Sequence, residues 1–194
     1  MQVDHAIGFI IRLMEREYPH NLPYHNLEHT LNVIRAVERF CQMECSDVKQ
    51  TALVRTAAAF HDAGFIYTYQ GHEFHSVRLA ETILPEFGYS ADDIARISGC
   101  IMDTEIGGVP RDRLSRVLCD ADLDYLGRRD YLYVSSLLRK EWEDLGQDYS
   151  DRGWLEYQLE FLSLHRYNTP SARILRNPGK AENIRYIRQL LKAE

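Results

Sequence analysis

The chain has 194 residues, 45% of them apolar and 27% charged, and its 23 Lys and Arg stand against 29 Asp and Glu for a net charge of −6. That length builds one domain with a sizeable core, in proportions ordinary for a globular protein. The acidic excess argues against a general binder of nucleic-acid polymers, and no run is long and apolar enough to span a membrane.

Residues 2–18 read as a helix with Ile7, Ile10, Ile11 and Met14 on one side. The start, Met1-Gln2-Val3-Asp4-His5, has no basic segment or signal-like core, so a cytoplasmic location is expected. Pro19 to Pro23 breaks the helix, and Tyr24-His25-Asn26-Leu27-Glu28-His29 follows. Asn26 is suited to cap a second helix, running to about Met43. On it His29 shares a face with Val33, Val37 and Phe40, so an imidazole points inward, while His25 stands just before the helix. Cys41, Cys45, Cys100 and Cys119 form no Cys-x-x-Cys pair. Cys41 and Cys45 lie one turn apart without a second pair nearby, and free thiols in a reducing compartment are expected.

Ser46 is placed to cap a third helix, whose end carries Ala57-Ala58-Ala59-Phe60-His61-Asp62-Ala63-Gly64-Phe65. His61 falls on the stripe of Leu53 and Ala57. A histidine and an aspartate directed inward need a partner, because burying them unpaired is costly. Taken alone, the pair reads as a hydrogen-bonded one with no ion. A fourth helix begins at His72, with Glu73, Val77, Ala80 and Leu84 along one stripe and His72 on the adjacent edge. Ser90 starts a fifth, ending near Thr104.

The next helical stretch, Leu114 to Gly127, contains Cys119-Asp120-Ala121-Asp122-Leu123-Asp124. Periodicity puts Asp122 on the face of Leu114, Leu118 and Leu126, and puts Asp120 with Arg113, Arg116 and Asp124 on the solvent side. Amphipathic helices follow over 128–145 and after Ser150, the latter with Trp154, Gln158, Phe161, Leu162 and His165 in a stripe. His165 reads as a satisfied core histidine. Thr169-Pro170 restarts the chain, Pro178 interrupts it, and Ile184, Ile187 and Leu191 mark a last helix. No strand alternation, repeat or domain-type linker is found. The expectation is all-α: one compact domain over 1–194 of eight to ten helices, with the motif-bearing part at about 20–130 and the helices of 131–194 packed on it.

Three segments thus aim His29, His61 with Asp62, and Asp122 inward. Two imidazoles and two carboxylates suit a borderline-to-hard divalent ion such as Mn, Fe, Mg, Zn or Ni.

Tyr24-His25-Asn26-x-x-His29, His61-Asp62 and Ala121-Asp122-Leu123, in that order, resemble the HD superfamily of metal-dependent phosphohydrolases, an all-helical family. The first and last segments also resemble the class I cyclic-nucleotide phosphodiesterases of the same clan. The resemblance implies that His29, His61, Asp62 and Asp122 hold a metal ion, with Asp62 able to bridge to a second. It implies that His25 is the general acid and that the reaction is hydrolysis at phosphorus. Asp62 and Glu73 are then catalytic candidates, for a small phosphomonoester or phosphodiester, a nucleotide above all. Tyr24, His72, Arg128 and Arg129 are substrate-binding candidates by position, the arginines directly after Ala-Asp-Leu; the alternatives are a packed Tyr24, a hydrogen-bonded helix start at His72 and Glu73, and solvated surface arginines. His72 or Glu73 would orient the attacking water or reach the second ion. The phosphodiesterases continue His-Asp with a further histidine, glycine and asparagine that this chain lacks, so a purine pocket of that kind is not supported. An alternative is a regulatory module that binds metal and nucleotide with little turnover. A di-iron oxygenase of the superfamily needs two more histidines before the final aspartate, and after His75 the next histidine is His165. The partner expected is a small phosphorylated substrate, with no nucleic-acid polymer and no membrane; the sequence leaves the oligomeric state open, a homodimer included.

Overall fold

A computed structural model describes residues 1–44 and 47–193. Among them are nine α-helices, three one-turn 3-10 segments and no strand. The helices are α1 (Val3–Glu17), α2 (Leu27–Met43), α3 (Val48–Phe60), α4 (His72–Ile83), α5 (Ala91–Met102), α6 (Arg113–Asp122), α7 (Tyr131–Asp144), α8 (Asp151–Leu164) and α9 (Pro170–Ala193). The described residues group into two compact units, residues 1–20 with 25–122, and residues 21–24 with 123–194. No described helix is long and apolar enough to cross a membrane.

The first unit is built around α3. Leu53, Val54, Thr56 and every residue from Ala57 to Phe60 on this helix are buried. A helix buried nearly all round needs neighbours on several sides, and α3 packs against α1, α2, α5 and α6. The alanine run lets those helices approach closely, and Ile10, Met14, Val33, Val37, Phe40, Ile97, Ile101 and Leu118 complete the core. Asn26 caps α2 as expected: its Oδ1 accepts from the backbone N–H of Glu28 and His29 at 2.9 and 3.2 Å, so the cap also fixes the turn bearing His29. The expected Ser46 cap lies outside the described residues. Asp47 caps α3, its Oδ1 accepting from Gln50 N–H at 2.7 Å.

One expectation for α6 is overturned. Asp120, read as solvent-facing, is fully buried. The helix packs against α2, α3 and α5 together, and its buried residues run from Leu114, Ser115 and Val117 through Leu118, Asp120 and Ala121. At about 100° per residue these cover more than half the circumference. The single-stripe reading assumed one buried side.

In the second unit, Pro178 does not interrupt the last helix but sits inside the 24-residue α9. Proline forfeits one backbone hydrogen bond, and here tertiary anchoring of the same stretch carries the helix through. Arg176 donates to both carboxylate oxygens of Asp124 at 2.5 and 3.0 Å. Asn183 Nδ2 donates to the carbonyls of Leu126 and Arg128 at 2.9 and 3.0 Å. Gly127 and Gly179 cross backbone to backbone: a Cβ on Gly179 would stand 2.1 Å from Gly127 O.

His165 proves to be a satisfied histidine, its Nδ1 taking a hydrogen bond from Lys180 Nζ at 3.2 Å. Burial, then the charges of Lys180 and Arg166, depress its pKa to about 4. The unfolded chain, with an ordinary histidine pKa near 6.5, therefore takes up this proton first as pH falls. The contribution to stability is full above about pH 6.5 and is lost progressively toward pH 4. His165→Asn, which keeps an acceptor near the Nδ1 position but cannot titrate, should gain stability relative to wild type across that window and not above it. Denaturant midpoints measured against pH check this.

Candidate metal centre

The site lies wholly in the first unit and is assembled from the N-terminal turn of α2, the end of α3, the start of α4 and the last residue of α6. The donor atoms of His29, His61 and Asp122 lie within 4.8 Å of one another. His29 Nε2 stands 3.0 Å from Asp122 Oδ1 and 3.3 Å from Asp62 Oδ2. His61 Nε2 stands 3.2 Å from Asp62 Oδ2 and 3.5 Å from Asp122 Oδ1. Two donors bound about 2.1 Å from one ion lie roughly 3.0–3.4 Å apart at octahedral or tetrahedral angles, so the observed spacings are those of ligands sharing a cation.

The tautomers agree. His61 Nδ1 lies 2.8 Å from the carbonyl of Ala58, one turn back on α3. A proton on Nδ1 directed at that carbonyl leaves Nε2 with its lone pair facing two carboxylates. His61 Nε2 and Asp62 Oδ2 are both buried and neither makes a hydrogen bond of acceptable geometry. Two acceptors facing each other in the interior are repulsive unless a positive charge lies between them. Without a metal that charge is a proton. Burial works against charge on His61, but Asp62 and Asp122 together raise its pKa well above the ordinary value. Burial likewise opposes ionisation of Asp62, yet His61, His72 and His29 hold it well below the usual carboxylate range. Asp122 is depressed by His29 and His61 against the same burial cost. A divalent cation supplies the charge that these protons otherwise supply, so the residues present fit a metal ion.

The backbone of the His61-Asp62 pair is held on every side. Tyr18 Oη donates to Asp62 O at 2.7 Å, and Ser76 Oγ donates to His61 O at 2.6 Å while accepting from Gly64 N at 2.8 Å. None of Tyr18, Ser76 and Ala58 stood out in the sequence. Ser76 had a signal: a small polar residue one turn after His72, between Glu73 and Ala80 on the inward side of α4.

Of the other expected site residues, His72 is brought in, with Nε2 3.3 Å from Asp62 Oδ1 and Nδ1 3.2 Å from Tyr69 O. Burial opposes its charge, but Asp62, then Glu73, raise its pKa. Glu73 is buried, its Oε2 3.6 Å from His72 Nδ1. His25 stacks on Phe65 with ring centroids 4.5 Å apart and meets the His29 ring edge-on at 5.9 Å. Tyr24, Arg128 and Arg129 belong to the second unit. There Tyr24 is buried against Tyr125, Arg128 donates to Asp130 at 2.9 Å, and Arg129 is exposed.

No family model and no curated protein sequence matches the chain. Solved structures do. A predicted HD superfamily hydrolase from an uncultured Thermotogales bacterium aligns at a TM-score of 0.66 and 20% identity, over 98% of this chain and 91% of that one. YpgQ of Bacillus subtilis, solved in complex with ADP, aligns at 0.72 and 21% identity, over 100% and 97%. A structural-genomics target from Lactobacillus plantarum aligns at 0.71 and 16% identity, over 98% and 97%. At these identities the likeness is one of fold, and it spans nearly the whole of each chain. The chain therefore shares its fold with these three structures, a predicted HD superfamily hydrolase among them, and it gathers His29, His61, Asp62 and Asp122 at one point.

Proposed function

We propose that the protein is a metal-dependent phosphohydrolase acting on a small phosphorylated substrate, with a nucleotide as the first candidate. The observation that carries the reading is the meeting of two imidazole nitrogens and two carboxylates at 3.0–3.5 Å. The ADP bound to the Bacillus subtilis neighbour supports the nucleotide class.

In this reading His29, His61, Asp62 and Asp122 would hold one divalent ion, and Asp62 would be shared with a second where two are bound. When bound, such an ion supplies a Lewis acid for phosphate oxygens and acidifies a coordinated water. The chain's own residues do the rest. His25, seated on Phe65 beside the His29 ring, donates a proton to the leaving oxygen. His72 and Glu73 orient the water attacking in line. Rate acceleration comes from placing these groups before reaction, as in other phosphoryl transfers.

The test is a phosphate-release screen over nucleotides and sugar phosphates, with Mn, Mg, Co, Ni and Zn each supplied to metal-stripped protein. Release that depends on the metal supports the reading, and none with any pair contradicts it. His25→Ala should lower kcat by roughly 10²–10⁴-fold, the span of a general acid, while metal affinity stays within about twofold. Unchanged turnover removes His25 from the chemistry. Metal and nucleotide binding with no turnover in wild type would instead identify a regulatory module.

A further inference from the structure

We infer that Ser76 is a positioning residue: it sets the register of α4 against the His61-Asp62 turn and so places His72 on the second oxygen of Asp62. The kinetic arm of this inference rests on the function proposed above, and the spectroscopic arm does not.

Ser76 lies four residues after His72 on α4, so the two side chains share a face, one above the other. The Ser76 side chain is completely buried. Its hydroxyl uses both capacities on one turn of the neighbouring element, donating to His61 O at 2.6 Å and accepting from Gly64 N at 2.8 Å. A second point of contact sits beside it. A Cβ on Gly64 would be 1.9 Å from His72 O and 2.8 Å from Ser76 N, so the first turn of α4 rests directly on the Gly64 backbone. Two contact points between a helix and a turn fix both separation and rotation. The consequence appears one turn up, where His72 Nε2 faces Asp62 Oδ1 at 3.3 Å and the His72 ring stacks on Phe65 at 3.8 Å. Ser76 itself contacts two backbone groups and acts through His72.

The experiment uses the full chain with Mg²⁺ present. Ser76→Ala should move the His72 ring signals in a long-range ¹H–¹⁵N imidazole spectrum. Ile97→Val, a core change on α5, should leave them in place. In turnover, Ser76→Ala should lower kcat by roughly tenfold to a hundredfold, the scale of outer-shell changes, with KM within about twofold. In a His72→Ala background the same substitution should change kcat by less than about twofold, because its route of action is gone. Ser76→Cys, which keeps the side-chain shape with a bulkier atom and a weaker donor, should fall between wild type and Ser76→Ala. It also serves as the test variant if Ser76→Ala does not fold. Unmoved His72 signals, or an equal kcat loss in both backgrounds, overturns the inference. A wild type that releases no phosphate contradicts the proposed function, and the His72 spectrum then decides the positioning claim by itself.

Discussion

Asp62→Asn is expected to weaken divalent-cation binding by more than about 100-fold and to take phosphate release to background. Changes one shell out from a metal cost roughly 10–100-fold in affinity or activity, and Asp62 is nearer than that. One of its oxygens lies 3.2–3.3 Å from both His61 Nε2 and His29 Nε2, and the other faces His72. Asparagine preserves the volume, so packing survives while the anionic charge is lost. The two imidazole nitrogens then face one carboxylate in place of two. Calorimetric titration with Mn²⁺ and a phosphate-release assay on the same preparation check both parts. The thermal midpoint of the metal-free variant separates loss of ligand from loss of fold. Near-wild-type affinity would mean that Asp62 supports the fold without holding the ion.

Gly64→Ala is expected to destabilise the protein by about 3 kcal/mol or more, the upper range of overpacking, and to abolish turnover. The atoms a methyl group would meet are backbone: His72 O at 1.9 Å, His72 C at 2.7 Å and Ser76 N at 2.8 Å. No rotamer change relieves such contacts, so α4 has to move away from the His61-Asp62 turn, taking His72 and Glu73 with it. For a chain of this length the cost corresponds to a fall in Tm of roughly 6–12 °C. Gly99→Ala is the comparison. A Cβ there meets nothing within 4 Å, in the middle of α5. It should be neutral or stabilising by up to about 1 kcal/mol, because alanine favours the helix. Scanning calorimetry on the two variants reads the difference. A Gly64→Ala protein as stable as wild type would mean that the α4 contact yields easily.

Much of this site was legible in the sequence because its ligands sit on helices with strong periodicity. His29 shares a face with Val33 and Val37, and Asp122 with Leu114 and Leu118, so each imidazole or carboxylate was carried inward by an apolar stripe. The Asn26 cap was readable because capping is a local interaction, between residues two and three apart. Asp120 was misread because a helix covered on three sides buries residues that a one-sided pattern assigns to solvent. Pro178 was misread because the contacts that carry α9 through it, Arg176 with Asp124 and Gly179 against Gly127, join residues about fifty apart in sequence. The same holds for what steadies the site. Tyr18 and Ser76 act on the carbonyls of Asp62 and His61, and a hydrogen bond to a backbone group leaves no pattern in side-chain chemistry along the chain.

Anomalous diffraction from a crystal soaked in Mn²⁺ tests the metal assignment at its root. The expected result is a manganese peak within coordination distance of His29 Nε2, His61 Nε2, Asp62 Oδ2 and Asp122 Oδ1. A soaked crystal with no peak there, or with its peak held by other side chains, would contradict it.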